Sequence, residues 1–132
     1  MHNYIKRQQY CELIKNKKMT NEFDKALKFN WNTSIQVNDK AIVSKHVLKK
    51  ATGNITLFAF GKGEGLSEHT APFDALVHII EGKAEILIDG NSHLLETGEG
   101  IVMPANIPHA LNAIEDFKMI LTMIKEKEIL SM

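Results

Sequence analysis

Two stretches decide the fold: Gly63–Gly82, GEGLSEHTAPFDALVHIIEG, and Gly98–His109, GEGIVMPANIPH. Each holds a short apolar run framed by glycine. Ala75–Ile80 is a strand-length run closed by Glu81-Gly82-Lys83, and Gly100–Met103 follows Thr97-Gly98-Glu99. Glycine at those points supplies the positive φ that tight reversals need. The spacing Gly61-x-Gly63-x-Gly65 invites a phosphate-loop reading. Such a loop must open a helix whose amides face the anion, whereas a strand-forming stretch follows here.

Working outward, residues from Ala41 onward form short β-branched or aromatic runs between turn residues, the texture of an all-β barrel or sandwich. The expected strands are Ala41–Leu48, Asn54–Phe60, Ala75–Ile80, Ala84–Asp89, Ser92–Glu96, Gly100–Met103, Pro108–Ala113 and Phe117–Lys125. Several are apolar on both sides. Asn54–Phe60 sets Ile55, Leu57 and Ala59 against Phe58 and Phe60, and Ala75–Ile80 sets Val77 and Ile79 against Leu76 and Ile80. A sheet with one wet face alternates apolar with polar, so the outer face is expected to be covered, by a second subunit helped by the N-terminal segment.

The N-terminal segment reads differently. Ile5, Tyr10, Leu13, Ile14, Phe23, Ala26 and Leu27 fit two short helical pieces within Tyr4–Phe29, the second announced by Thr20 and its neighbouring acids. Met19 is a second candidate start, which would make the first residues a tail. The division expected is an extension over 1–33, partly helical, and a barrel over 34–132.

With 132 residues, 44% hydrophobic and 24% charged, the chain has material for one core and not for two ordinary domains. Sixteen basic residues balance sixteen acidic ones, so no overall field draws nucleic acid or an anionic membrane. Basic residues gather before Lys28, but no aromatic residues interleave with them as base stacking would require. One cysteine, Cys11, excludes an internal disulfide and suits a reducing compartment. No signal-peptide pattern and no bilayer-length apolar run is visible, so the expected location is the cytoplasm.

The two opening stretches resemble the paired motifs of the cupin superfamily, in the form of a small single-domain bacterial cupin. The first family motif is Gly, five residues, His-x-His, three or four residues, Glu, six residues, Gly; Gly63, His69 and Gly82 fall in register. The second is Gly, five residues, Pro-x-Gly, two residues, His, three residues, Asn; Gly98, Pro104 and His109 match it. Ala71 and Ala75 stand where the family has its second His and its Glu, Asn106 where it has Gly, and Ala113 where it has Asn. The resemblance implies a jelly-roll β-barrel (double-stranded β-helix), a homodimer, and a site inside the barrel.

Strand parity and the resemblance together put His69, Ala71 and Ala75 on the interior. Only His69 and His109 remain of the family's four metal ligands. Structural zinc wants four protein ligands and catalytic zinc three, so no cofactor follows firmly; the group the resemblance would place there is a divalent ion, zinc, iron, manganese, nickel or copper. Glu68 and Asp74 point away by parity, and Glu64 lies in the glycine-rich loop. Without a metal, the two imidazoles orient a ligand, act as acid and base, or simply satisfy buried backbone groups. The pocket residues expected are His69, Ala71, Ala75, Val77, Met103, His109 and Leu111. Met103, Met119 and Met123 are either core filler or a soft pocket able to take copper(I). His78 falls on the outer face, and His2, His46 and His93 read as surface residues.

Three functions follow. The first is a non-enzymatic, dimeric module that binds or senses a small molecule. The second is a metal-dependent oxidoreductase or isomerase using His69 and His109. An interaction protein working through the outer sheet and the basic N-terminus is a third. No nucleophile elbow, Cys-x-x-Cys pair or His-Glu-x-x-His helix is present.

Overall fold

The runs separated by turns become nine strands in the computed structural model, which describes residues 22–126. They are β1 (Ile42–Lys50), β2 (Gly53–Phe60), β3 (Gly65–His69), β4 (Asp74–Glu81), β5 (Lys83–Ile88), β6 (Asn91–Glu96), β7 (Gly100–Met103), β8 (His109–Ala113) and β9 (Phe117–Ile124). One sheet has the order β1-β2-β9-β4-β7 and the other β3-β8-β5-β6, every pairing antiparallel. The jelly roll expected from the sequence is present. Eight of its strands lie within two residues of their expected ends; β3 was not among those expected. It carries a single apolar side chain, Leu66, among Gly65, Ser67, Glu68 and His69, so no alternation marks it.

The sheets face each other across a core of Phe60, Val77, Ile79, Ile86, Leu111, Phe117 and Met119, all buried. Phe60 and Phe117 stack with centroids 4.5 Å apart and planes at 10°. Burial along β4 alternates from Asp74 to Ile79: Ala75, Val77 and Ile79 face inward, Leu76 and His78 outward. Between β4 and β5 the chain reverses at Gly82, with φ of +88°, where a Cβ would collide with the carbonyl oxygen of Asp116. Glycine is required there twice over, by conformation and by space.

On the outer face of the five-stranded sheet, Leu57, Ala59 and Ile120 are covered by the chain itself. Ile35 is buried there, with Phe23, Trp31 and Val37 packed beside it. Two lysines fasten this strap: Lys118 Nζ donates to the Asn32 carbonyl at 2.7 Å, and Lys45 Nζ to that of Ser34 at 2.7 Å. The N-terminal segment, which was expected only to assist a second subunit, is thus the cover over this part of the sheet. It is not helical over its described residues. Residues 23–29 are irregular, with Ala26 at φ of +59°. The apolar spacing that suggested a helix instead builds an edge-to-face chain of Phe23, Phe29 and Trp31, neighbouring centroids being 4.8 Å apart, while Leu27 is exposed. The helical piece expected over Ile5–Ile14 lies outside the described residues.

Candidate functional site

The site begins with a turn. Pro104–Pro108 links β7 to β8, and Asn106 occupies the left-handed region at φ of +64°. Asparagine is among the few non-glycine residues that tolerate this conformation, so the departure from the family's glycine leaves the turn intact. The Asp74 Oδ1 accepts from the Ala105 N–H at 2.9 Å, and the Asn106 N–H donates to the Ala71 carbonyl at 2.8 Å. The loop before β4 and the turn before β8 are therefore tied together, and His109 emerges from the turn as the first residue of β8.

Its partner is the last residue of β3. His69 lies directly across from His109 in the β3–β8 ladder. Strict alternation from Leu66 would turn His69 outward, but a bulge intervenes: Leu66 pairs with Leu111 and His69 with His109, three steps against two. The extra residue lets both Leu66 and His69 lie on the inner side. The ring centroids are 4.3 Å apart at an interplanar angle of 66°, and the two Nε2 atoms are separated by 3.1 Å. His109 is only 7% exposed, whereas His69 stays open to solvent.

The far side of each ring fixes its tautomer. The His69 Nδ1 lies 2.7 Å from the Ser67 carbonyl oxygen, and the His109 Nδ1 lies 3.2 Å from that of Ile107. A carbonyl only accepts, so each Nδ1 carries the hydrogen. Two neutral rings would then turn lone pair against lone pair across 3.1 Å. A proton on one Nε2, or a cation between them, converts that repulsion into attraction.

The same arrangement is what a metal-bound histidine shows, its second ring nitrogen donating to a carbonyl. An ion at the usual distance of about 2.0–2.1 Å from both nitrogens would see them at an angle of roughly 100°, within the range of tetrahedral and octahedral sites. The protein's ordinary hard and borderline donors go no further. Among the described residues no group of three His, Cys, Asp or Glu side chains gathers anywhere. Asp74 is engaged with the turn, and Glu64 stands at the other end of β3, its carbonyl accepting from Ala113.

The wall that β7, β4 and β9 set opposite the pair is apolar. Ala75 is flanked in register by Met103 on β7 and Met123 on β9, and Ile88 on β5 lies across from His109. Directly paired residues of an antiparallel sheet share a face, so Ala75, Met103 and Met123 form one row turned inward. Ala71 is half-buried in the loop leading to β4. Val77 and Leu111 stand one step deeper and are closed in the core, as is Met119.

Three histidines outside the pair have distinct places. His78 is exposed on the outer face. His46, expected as a partnerless surface residue, is half-buried on the same side of the sheet as Phe58, with its Nδ1 3.3 Å from Thr56 Oγ1. Thr56 Oγ1 also reaches Asn54 Oδ1 at 3.4 Å, which makes a polar strip on the inner side of β1 and β2. Period-two counting along Asn54–Phe60 puts Thr56 on the face of Phe58 and Phe60, but its pairing with His46 is a matter of register between two strands. His93 is half-buried opposite Ile86 in the β5–β6 ladder, and His2 lies outside the described residues.

Comparison with known proteins bears on fold and family. Residues 56–125 match the family described as Cupin domain. A conserved protein of unknown function from Streptococcus pyogenes is 34% identical with a TM-score of 0.76, over 80% of this chain and 92% of its own. A cupin 2 conserved barrel domain protein from Leptotrichia buccalis is 40% identical with a TM-score of 0.72, over 74% of this chain and 47% of its own. Among curated proteins, the polyketide synthase CurC of Streptomyces cyaneus is 29% identical over 66 residues. Those residues are 49% of this chain, which spans less than half of that relative, 43% of its length.

Proposed function

The chain belongs to the cupin domain family, and we propose that within it the protein is a dimeric, non-catalytic module that captures a small ligand at the barrel mouth through the His69–His109 pair. One observation carries this reading: two imidazoles with committed Nδ1–H groups converge through Nε2, 3.1 Å apart, at the end of the barrel where Ala75, Met103, Met123 and Ile88 also face inward. A few convergent polar groups on an apolar wall is the composition of a binding site. The Asp74 carboxylate, at the start of β4, is spent on holding the turn before His109. Ligand-observed NMR against a panel of small aromatic and aliphatic molecules tests it: binding is expected in the parent and lost in His109→Ala. Turnover of oxidisable or isomerisable substrates after loading with divalent metals would overturn the non-catalytic claim.

Dimerisation draws support from the part of the outer face that the strap leaves bare. Leu76 on β4 and Val102 on β7 are directly paired and remain 44% and 56% exposed, on the edge of the sheet. An apolar pair at an open sheet edge is a site for a second copy. Light scattering of the double variant Leu76→Glu, Val102→Glu is expected to give monomer where the parent gives dimer; a parent that is monomeric at 100 μM or so rejects the proposal.

A second reading, a metal-dependent cupin enzyme, is favoured by the angle of roughly 100° that the two nitrogens offer one ion. His69 and His109 would hold it, and it would act as a Lewis acid toward a bound oxygen group. Elemental analysis finding no stoichiometric metal, with a melting temperature unmoved by added divalent ions, removes this alternative.

A further inference from the structure

We infer that Asn54 and His46, on the inner side of β2 and β1, are a second polar contact point of the mouth, and that they select an aromatic ligand carrying a hydroxyl at the end away from the histidine pair. This rests on the mouth being the ligand site and names the class of ligand it takes.

Register places Asn54 on the wall already described. Met103 pairs with Ala75, Ala75 with Met123 and Met123 with Asn54, so one row crosses β7, β4, β9 and β2 with its side chains on a single face. Three members of that row are apolar and the fourth is an amide. His46 on β1 pairs with Thr56, the next residue of β2 on the same face, and Thr56 is only 4% exposed. Further along that face Phe58 and Phe60 belong to the apolar core, so the polar side chains of β2 gather at its mouth end.

Hydrogen-bond direction then fixes what the strip offers. Thr56 Oγ1 lies 3.4 Å from Asn54 Oδ1 and 3.3 Å from His46 Nδ1. A hydroxyl has one hydrogen and an amide oxygen only accepts, so Thr56 donates to Asn54 and accepts from His46. The neutral His46 ring therefore keeps Nε2 as an acceptor, and Asn54 keeps its Nδ2 hydrogens as donors. A hydroxyl answers both, because it donates and accepts at once; an ether only accepts, and an alkyl group does neither.

The rest of the wall chooses the body of the ligand. Ala75 leaves room between Met103 and Met123, and thioethers make favourable contacts with an aromatic ring. The histidine pair stands on β3 and β8 of the other sheet, and facing sheets pack about 10 Å apart. One ring with a polar group at each end spans that gap.

The test is ligand-observed NMR titration of the full chain with 4-hydroxybenzyl, 4-methoxybenzyl and 4-methylbenzyl alcohol, which share one end and differ at the other. The parent is expected to bind the hydroxy compound about tenfold more tightly than the other two, since a site built to bond a hydroxyl is left with unpaired polar groups by an analogue lacking it. His46→Leu should bring the hydroxy compound down to the level of the methyl one and leave the methyl one unchanged. Thr56→Val, which breaks the relay, should remove part of the preference. If His46→Leu does not fold, Asn54→Ala at its half-buried position carries the same expectation. Equal binding of the three probes by the parent, absence of binding by all three, or a preference kept in the variants overturns the assignment of His46 and Asn54. Binding of all three probes left intact in His109→Ala overturns the mouth as the ligand site.

Discussion

The two ends of the barrel interior are built on opposite rules. At one, Phe60 and Phe117 stack between the sheets at 4.5 Å within the buried apolar cluster. At the other, two imidazoles face each other across 3.1 Å beside a row whose middle member is alanine. The packed end gains stability from buried area and close contact; the mouth gives up both and keeps donor atoms instead. The same strands serve both ends: β4 contributes Ile79 to one and Ala75 to the other, and β8 runs from His109 to Ala113.

That division predicts unequal responses to truncation. Phe117→Ala empties the fully buried stack and should cost about 3–5 kcal/mol, enough to unfold a marginal domain near 37 °C. His109→Ala at the mouth should cost about 1 kcal/mol, the net worth of a single hydrogen bond to the Ile107 carbonyl, while removing ligand capture. Urea unfolding of both variants measures the contrast. Equal losses would mean that the histidine pair is part of the stabilising core and not a site set apart from it.

The turn that delivers His109 offers a smaller and sharper probe. Asn106→Ala places an ordinary side chain at φ of +64° and should cost about 1–2 kcal/mol, whereas Asn106→Gly should be nearly neutral. The loss should also appear in ligand affinity, because the Asn106 N–H ties the turn to Ala71 beside the mouth. Equal stability of the two variants would detach the turn from the site.

How far each end could be read from the chain follows from what sets it. The packed end was legible: Gly82 and the alternation through Val77 and Ile79 mark strand and turn locally, and local signals survive without knowledge of neighbours. The pairing of His69 with His109 was legible only through motif spacing. The bulge after Leu66 is a property of two strands in register, and a single stretch of sequence shows no sign of it. The strap failed for a related reason. Phe23, Ala26 and Leu27 have helical spacing, yet the aromatic chain with Phe29 and Trp31 and the two lysine anchors override propensity with tertiary contacts. His46 was passed over because its partner Thr56 lies on another strand.

The smallest expected effect isolates a charge that touches neither end. Glu85 sits on β5 between Ala84 and Ile86, with its side chain on the outward face of the four-stranded sheet. Ser92 Oγ donates to its Oε2 at 2.6 Å and Asn112 Nδ2 to its Oε1 at 3.0 Å, and these bonds, that from Ser92 foremost, hold the carboxyl below its ordinary value of 4.5. Because the folded protein favours the ionised form, the stabilisation is fully present above 4.5 and disappears as pH falls through the lower folded value. Glu85→Gln has no carboxyl to protonate there. Parent and variant should therefore differ by about 1–2 °C in melting temperature at neutral pH, a gap of surface-charge size. The gap should close in strong acid and shrink with added salt. A gap constant from pH 7 to pH 3 would assign the difference to amide packing and not to the carboxylate's hydrogen bonds.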